Sequence, residues 1–450
     1  MTASSLPPLL LPLAYTPDAL HYAKQLAELT GFVWLDSGTH RAYGGRYEFL
    51  TALPLSVYEQ AAAGAAQLNG VPTALTAEQW QQQEIDLFAP AAEPELAFCG
   101  GILGYIHYEY GCAAQGLAAP PSPEPLLHLG VYTWVLLQDH IACRSQLYFS
   151  NRCPADTRQA VLAQLAQAAP PLPPFVCSAF APATSKADYL SKIEKILAYI
   201  QAGDAYQVNL SQRFSAECSG PPLAAYAHLR AASPSPYGAF FSTPKGAILS
   251  LSPEQFIGIT QGEAVTHPIK GTAKRGATEA QDAELAQALS QSIKNRAENL
   301  MIVDLLRNDF SKNCAPFSVA TPELFQLKTY ANVHHLVSCV RGQLKPGISP
   351  WQFFYACFPG GSITGAPKKR AMEIIAELED QPRRIYCGCI YYWSANGRLD
   401  SSITIRTLRI DGHEIHVWGG GGIVADSLAE DEYAESLQKI ALLQNTLTSI

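Results

Sequence analysis

The sequence predicts an α+β fold in which long helices alternate with hairpins and meanders. Three observations point to it. Of 450 residues, 48% are hydrophobic and 16% charged, enough apolar material for a large core. Apolar residues recur at helical spacing through the second half, and strand-like runs separate them without the regular alternation of a wound parallel sheet. Length alone fits about three domains or one large one.

The elements follow in order. The stretch 168–185 holds Pro170, Pro171, Pro173, Pro174 and Pro182, which rules out a helix or a central strand there. A proline-rich connection at 171–184 thus divides an N-terminal region, 1–170, from a second region, 185–450, that holds the dense motifs. In the first region, the 98–105 stretch Phe-Cys-Gly-Gly-Ile-Leu-Gly-Tyr lacks the glycine spacing of a nucleotide loop and reads as a packed strand and turn. Ser185 opens a helix with Tyr189, Ile193, Ile196, Leu197 and Ile200 on one face, and Gly203 stops it. In the next strand Tyr206, Val208 and Leu210 face one way and Gln207, Asn209, Ser211 and Arg213 the other. That second face belongs against solvent or a polar cavity.

A helix is expected from about Glu279 to Asn308, with Leu285, Leu289, Ile293, Ala297, Leu300 and Leu305 aligned. Another starts at Pro367 and carries Ala371, Ile374, Ile375 and Leu378. The last begins near Ser427, where Ser427 and Glu430 resemble a capping box. Strand-like runs fill 247–259, 331–341, 385–394, 402–410 and 415–418.

The formal charge of −8, without a basic stripe, excludes a nucleic-acid footprint. An anionic ligand must then be held locally, by a metal, an arginine or backbone amides. The first 17 residues carry four prolines and no basic residue, unlike a secretion signal, and no run reaches the roughly 18 apolar residues of a membrane span. Eleven cysteines without a C-x-x-C pair suit reduced thiols, and a cytoplasmic protein is expected.

Four constellations carry chemistry. The 359–368 stretch, Pro-Gly-Gly-Ser-Ile-Thr-Gly-Ala-Pro-Lys, runs a small-residue loop into a helix start and reads as an anion cradle or as an ordinary loop and cap. Gly419 to Gly422 lie between a strand ending at Trp418 and the last helix; a close approach to a ligand or a flexible turn would each use them. Glu432 and Glu435 are neighbours at i and i+3, and Glu298 follows Lys294 by four; such oxygens suit Mg²⁺ or a solvated face. Lys270, between Ile269 and Gly271, is either a desolvated nucleophile with Glu254 as an acid or a plain surface lysine. His335 stands in an apolar run.

Taken in order over about 185–445, these segments resemble the chorismate-utilising enzyme family. The matching stretches are Asp204 to Leu210, Leu251 to Glu254, Pro268 to Thr272, Asn299 to Asp309, the 359–368 loop, Thr404 to Thr407 and Gly419 to Ser427. The resemblance implies the two-part fold of anthranilate synthase component I, with antiparallel sheets packed as a sandwich, flanking helices and an active site in a cleft. It also implies Mg²⁺ held by Glu298, Glu432 and Glu435, with Lys270, Glu254 and His335 catalytic. Arg406, Gly420, Gly421, Tyr386, Thr364, Gly365, Ala366, Lys368 and Gln207 would then hold chorismate.

Two positions sort the reactions within that family. Water-adding members carry lysine where this chain has Gln207, an amide that cannot act as a base. Anthranilate-forming members carry alanine at Lys270, whereas the branch that forms 4-amino-4-deoxychorismate, toward para-aminobenzoate and folate, carries lysine. The resemblance therefore implies amination of chorismate through a Lys270 adduct; anthranilate formation and a non-catalytic chorismate- or tryptophan-binding subunit are the alternatives. No Cys/His pair of a glutaminase is assigned, so a separate glutamine amidotransferase subunit is the expected source of ammonia. Asp36, Ser37, Pro236 and Tyr237 match a loose family motif for tryptophan. Tyr391 stands where relatives often have glycine, and Cys387-Gly388-Cys389 where Gly-Gly is common.

Overall fold

A computed structural model describes residues 6–38, 45–61, 64–89, 96–120, 122, 124–329 and 333–449. Among them two antiparallel sheets form the centre. The first runs, strand by strand, Leu9–Leu13, Arg144–Phe149, Trp134–Asp139, Tyr47–Thr51, Val33–Asp36, Tyr237–Thr243, Gly246–Ser252, Thr407–Asp411, Glu414–Val424 and Gln207–Ser219, with Val176–Cys177 at the edge. The second includes Ile269–Lys274, Val333–Gln343, Leu399–Ile403, Cys389–Ser394 and Gly101–Ile106. The proline-rich connection supplies only short strands, Val176–Cys177 and Ala181–Pro182, both paired to Gln207–Ser219.

Both sheets mix strands from before and after that connection. Val33–Asp36 pairs with Tyr237–Thr243, and Gly101–Ile106 pairs with Cys389–Ser394. The prolines divide the sequence but not the sheets.

Apolar clusters explain the layering. Val33, Val135, Phe241 and Ile248 of the first sheet meet Leu103, Tyr105 and Ile390 of the second, forming the inner core of a sandwich. Helices Pro222–Ala232 and Ala429–Thr448 cover the outer face of the first sheet through Leu229, Ile440 and Leu443. Helices Ile293–Asn313 and Pro350–Cys357 cover the second through Ile302, Leu306, Phe310 and Phe354.

The polar face of the Gln207–Ser219 strand is buried. Gln207, Asn209 and Ser211 are 1%, 8% and 7% exposed. Ser211 donates from its backbone N–H and its hydroxyl to Glu379 Oε1 at 2.7 and 2.8 Å, and Arg383 Nη2 donates to the Asn209 carbonyl at 2.8 Å. The alternation thus marks a polar interior.

Three expectations are corrected. The helix expected over 279–308 is two, Glu279–Gln291 and Ile293–Asn313, because Ser292 adopts extended backbone and its side chain accepts from the Asn295 N–H to cap the second. The glycines 419–422 lie inside the Glu414–Val424 strand, not in a loop after Trp418. Space demands them there: a Cβ on Gly419 would stand 2.3 Å from the Ser436 carbonyl oxygen, and one on Gly420 2.4 Å from that of Leu210. Finally, Ser427 does not cap the last helix. Ala429–Thr448 starts from Leu428 without a side-chain cap, and the Ser427 hydroxyl bonds Glu432 Oε1 at 2.6 Å.

Candidate active site

The cleft is built where the Glu414–Val424 strand, the Ala429–Thr448 and Ile293–Asn313 helices and the Ile269–Lys274 strand come together. Glu254 lies just beyond the Gly246–Ser252 strand and is 8% exposed. Burial raises its pKa above the ordinary carboxylate range, against the opposing pull of Lys270, a Ser362 hydrogen bond, Arg406 and Lys439. Burial lowers the pKa of Lys270, which Glu254 opposes, Lys439 reinforces, and Glu298 and Glu435 oppose. An amine driven toward its neutral form thus shares a field with a carboxyl driven toward its acid form. A nucleophile and an acid require those two protonation states.

His335 is buried and bonded to the Thr272 hydroxyl at 2.9 Å. Burial, reinforced by Arg406, pushes its pKa down to about 4, so the ring is neutral at physiological pH. Arg406 acts on both Glu254 and His335, and its backbone is held at φ 49°, a left-handed conformation uncommon for a side chain of this size.

The acidic residues gather at Gly421. A Cβ there would meet Glu432 Oε2 at 3.2 Å, Lys439 Nζ at 3.6 Å and Glu435 Oε1 at 3.7 Å. Glu435 is paired with Lys439 at 2.7 Å; burial works to raise its pKa, but Lys439, Lys270 and Lys294 hold it below the ordinary value. Burial raises that of Glu432, with Ser427, Lys439 and Lys294 opposing and Glu435 adding to the rise. Among the described residues, no three His, Cys, Asp or Glu side chains stand close enough to ligate a metal by themselves. Of the carboxylates expected to hold Mg²⁺, Glu435 is paired with Lys439 and Glu432 bonds the Ser427 hydroxyl. The donor set still suits Mg²⁺, which takes one or two protein carboxylates with waters and substrate oxygens, and the glycine leaves room above it.

The 359–368 loop forms a turn at Gly361–Ile363 and a two-residue strand, Gly365–Ala366, paired with Gln207 and Val208. The carbonyls of Thr364 and Ala366 accept from the N–H groups of Asn209 and Tyr206 at 2.9 and 2.7 Å. By the alternation of an antiparallel ladder, Gly365 turns its own amide away from that strand. At φ 144°, with a Cβ that would meet the Gln207 carbonyl oxygen at 2.1 Å, this position requires glycine. Gln207 lies over Gly422, its buried amide nitrogen without a protein partner.

Lys368 is engaged by protein groups of its own. Its ammonium donates to Asp309 Oδ2 at 2.6 Å and to the Cys357 carbonyl at 2.8 Å, and the buried Asp309 carboxylate captures it. Tyr386 is buried and stacked on Trp418, with ring centroids 6.2 Å apart and planes 5° from parallel. Sequence reasoning missed Lys439, Ser362 and Ser427. Lys439 stands four residues after Glu435, at the spacing of a helix-surface pair, but its 3.0 Å bond to the Gly420 carbonyl places it in the cleft.

The sequence pattern of the chorismate binding enzyme family matches residues 33–445. The chain belongs to that family. Aminodeoxychorismate synthase component 1 of Salmonella typhimurium is 40% identical over 446 residues, covering 97% of this chain and 97% of that protein. Its counterpart in Klebsiella aerogenes is 41% identical over 456 residues, covering 99% and 100%. Anthranilate synthase component I from Streptococcus pneumoniae superposes with a TM-score of 0.80 at 29% identity, over 89% of this chain and 92% of that one. The α+β fold and its antiparallel sheets agree with that likeness. No helix among the described residues is long and apolar enough to cross a membrane.

A separate cavity of about 450 Å³ opens between the sheets and is lined by Asp36, Ser37, Pro236 and Tyr237, with Tyr391 and Asp400 opposite. The motif residues expected to meet tryptophan do come together there. Asp36 is not free to meet an ammonium group: Arg230 donates to both of its oxygens at 2.6 and 3.1 Å, and the Tyr226 hydroxyl donates at 3.1 Å. Tyr391 bonds Gln81 Oε1 at 2.7 Å and contributes a rigid wall.

Proposed function

We propose that this chorismate binding enzyme converts chorismate and ammonia to 4-amino-4-deoxychorismate. The observation that carries the reading is Lys270 beside Glu254, the amine's pKa lowered and the acid's raised by burial in one cleft. The names of relatives about 40% identical over nearly the whole chain support it.

In this reading Arg406, the backbone around Gly420 and Gly421 and the 364–366 loop hold carboxylate oxygens of chorismate, while His335 and Tyr386 orient the ring and the enolpyruvyl group. The neutral Lys270 amine bonds to ring C2 as the C4 hydroxyl departs with the proton of Glu254, leaving as water. Ammonia then bonds to C4 while the C2–N bond to Lys270 breaks, and the surplus proton of the new amine returns to the Lys270–Glu254 pair. The enolpyruvyl group stays on the ring. Glu298 and Glu435, with Glu432 alongside, would hold Mg²⁺, whose charge would offset that of the ring carboxylate.

Ammonia reaches the cleft from a glutamine amidotransferase subunit, as the "component 1" of the relatives' names supports. The site acts in the cytoplasm on the route to para-aminobenzoate and folate. The 450 Å³ cavity takes tryptophan, with Ser37, Pro236 and Tyr237 rather than Asp36 as its contacts.

The test is incubation with chorismate, ammonium and Mg²⁺ with mass detection. Aminodeoxychorismate with the enolpyruvyl group intact is expected. Fluorescent anthranilate with released pyruvate, or chorismate binding without turnover, would overturn the reading.

A further inference from the structure

Beneath the cleft lies a buried arginine that the chemistry does not use directly. Arg383 is 1% exposed. It donates from Nη1 to the Ile363 carbonyl at 2.8 Å, from Nη2 to the Asn209 carbonyl at 2.8 Å, and from Nε and Nη2 to the two Glu379 oxygens at 2.8 and 2.7 Å. The same Glu379 oxygen takes two bonds from Ser211. Tyr108, from the N-terminal region, closes the far side with its ring 4.7 Å from the guanidinium carbon. One planar fork therefore joins the 361–366 loop, the polar edge of the Gln207–Ser219 strand and the end of the Lys368–Leu378 helix.

A buried charge is costly, by several kcal/mol before its partners compensate. The 364–366 segment is already paired to the strand through its own backbone. What the guanidinium adds is a fixed height for Ile363. On one side of Ile363 is Ser362, whose side chain acts to lower the pKa of Glu254; on the other are Thr364 and the turned amide of Gly365.

We propose that Arg383, held by Glu379, is a positioning residue for the reaction: it sets the 361–366 loop so that Ser362 meets the acid Glu254 while the Gly365 amide faces the substrate's carboxylate. A lysine in its place could bond one carbonyl but not both in a plane, because an ammonium lacks the fork. The proposal rests on the reading of the cleft as a chorismate site.

Two measurements on the full chain test it. In steady-state amination with chorismate, ammonium and Mg²⁺, Arg383→Lys is expected to raise KM for chorismate roughly tenfold through the displaced amide. It should also lower kcat/KM by about 10²-fold through the misplaced acid. Glu379→Gln should move both in the same direction by less. Tyr108→Leu removes the aromatic cover but no hydrogen bond to the loop, so it should lower the melting temperature and leave KM within about twofold. In hydrogen–deuterium exchange, amides of 361–366 should exchange faster in Arg383→Lys while those of 213–219 stay protected.

Kinetic constants within about twofold of the parent in both Arg383→Lys and Glu379→Gln would overturn the proposal, as would unchanged exchange at 361–366. Should Arg383→Lys fail to fold, Glu379→Gln decides by the same two readouts. A parent protein that does not turn over chorismate would defeat the functional reading, and the exchange experiment would still decide the positioning.

Discussion

Lys439 Nζ lies 2.7 Å from Glu435 Oε1 and also donates to the Gly420 carbonyl at 3.0 Å, so one ammonium clamps an acidic helix to the glycine strand. It occupies an oxygen that a divalent cation would need. Lys439→Met should therefore bind Mg²⁺ several-fold more tightly without chorismate, because both a competitor and a like charge are gone. Isothermal titration with MgCl₂ checks this; equal or weaker binding counts against Glu435 as a ligand.

The Lys270–Glu254 pair dictates a pH profile. Chemistry needs the amine neutral, favoured above a pKa that burial has lowered, and the carboxyl protonated, favoured below a pKa that burial has raised. Activity should fall on both sides of an optimum whose limbs belong to the coupled pair. Glu254→Gln removes one partner, so the profile should become a single rise toward alkaline pH, at a rate lower by about 10²–10⁴-fold. A surviving alkaline limb would assign that ionisation elsewhere.

Gly420 and Gly421 are adjacent and should behave oppositely on substitution. Alanine at 420 would push a methyl to 2.4 Å from the Leu210 carbonyl oxygen, and a stability loss of about 1–3 kcal/mol is expected. Alanine at 421 meets no atom closer than 3.2 Å, and those it meets are the carboxylate and amine groups of the cleft. It should fold with near-parent stability and raise KM for chorismate. Urea denaturation with steady-state kinetics separates the two.

Arg230 anchors a different network. Its guanidinium bonds Asp36 at 2.6 Å and Asp18 at 2.7 Å and stands 3.6 Å from Glu48, with Trp34 stacked at 4.4 Å. Arg230→Met leaves two buried acids without their cation and should cost about 3–5 kcal/mol in urea denaturation. Asp36→Asn with Glu48→Gln should recover part of that loss.

Much of this was legible from residue order. The helix faces at Tyr189, Ile193 and Ile196 and at Ile374, Ile375 and Leu378 became core because a 3.6-residue period survives any tertiary setting. The alternation at Gln207, Asn209 and Ser211 marked a polar face set against solvent or a polar cavity, and the structure buries it against Glu379 and Arg383. What stayed hidden depended on partners distant in sequence. Nothing near Lys368 announces Asp309, nothing near Asp36 announces Arg230, and a run of four glycines, read as a ligand approach or a turn, does not announce that Ser436 and Leu210 press on it from either side.

The interleaved sheets have a consequence for how the chain is made. Val33–Asp36 and Gly101–Ile106 pair on one edge with the nearby strands Tyr47–Thr51 and Leu127–Tyr132, but their other edges are filled by Tyr237–Thr243 and Cys389–Ser394, two hundred or more positions downstream. During synthesis the leading segment therefore waits on the ribosome with open strand edges, the setting in which chaperones are needed and mispairing begins. Fragments cut at the proline-rich connection should be insoluble apart yet assemble when co-expressed, each supplying the other's missing edges.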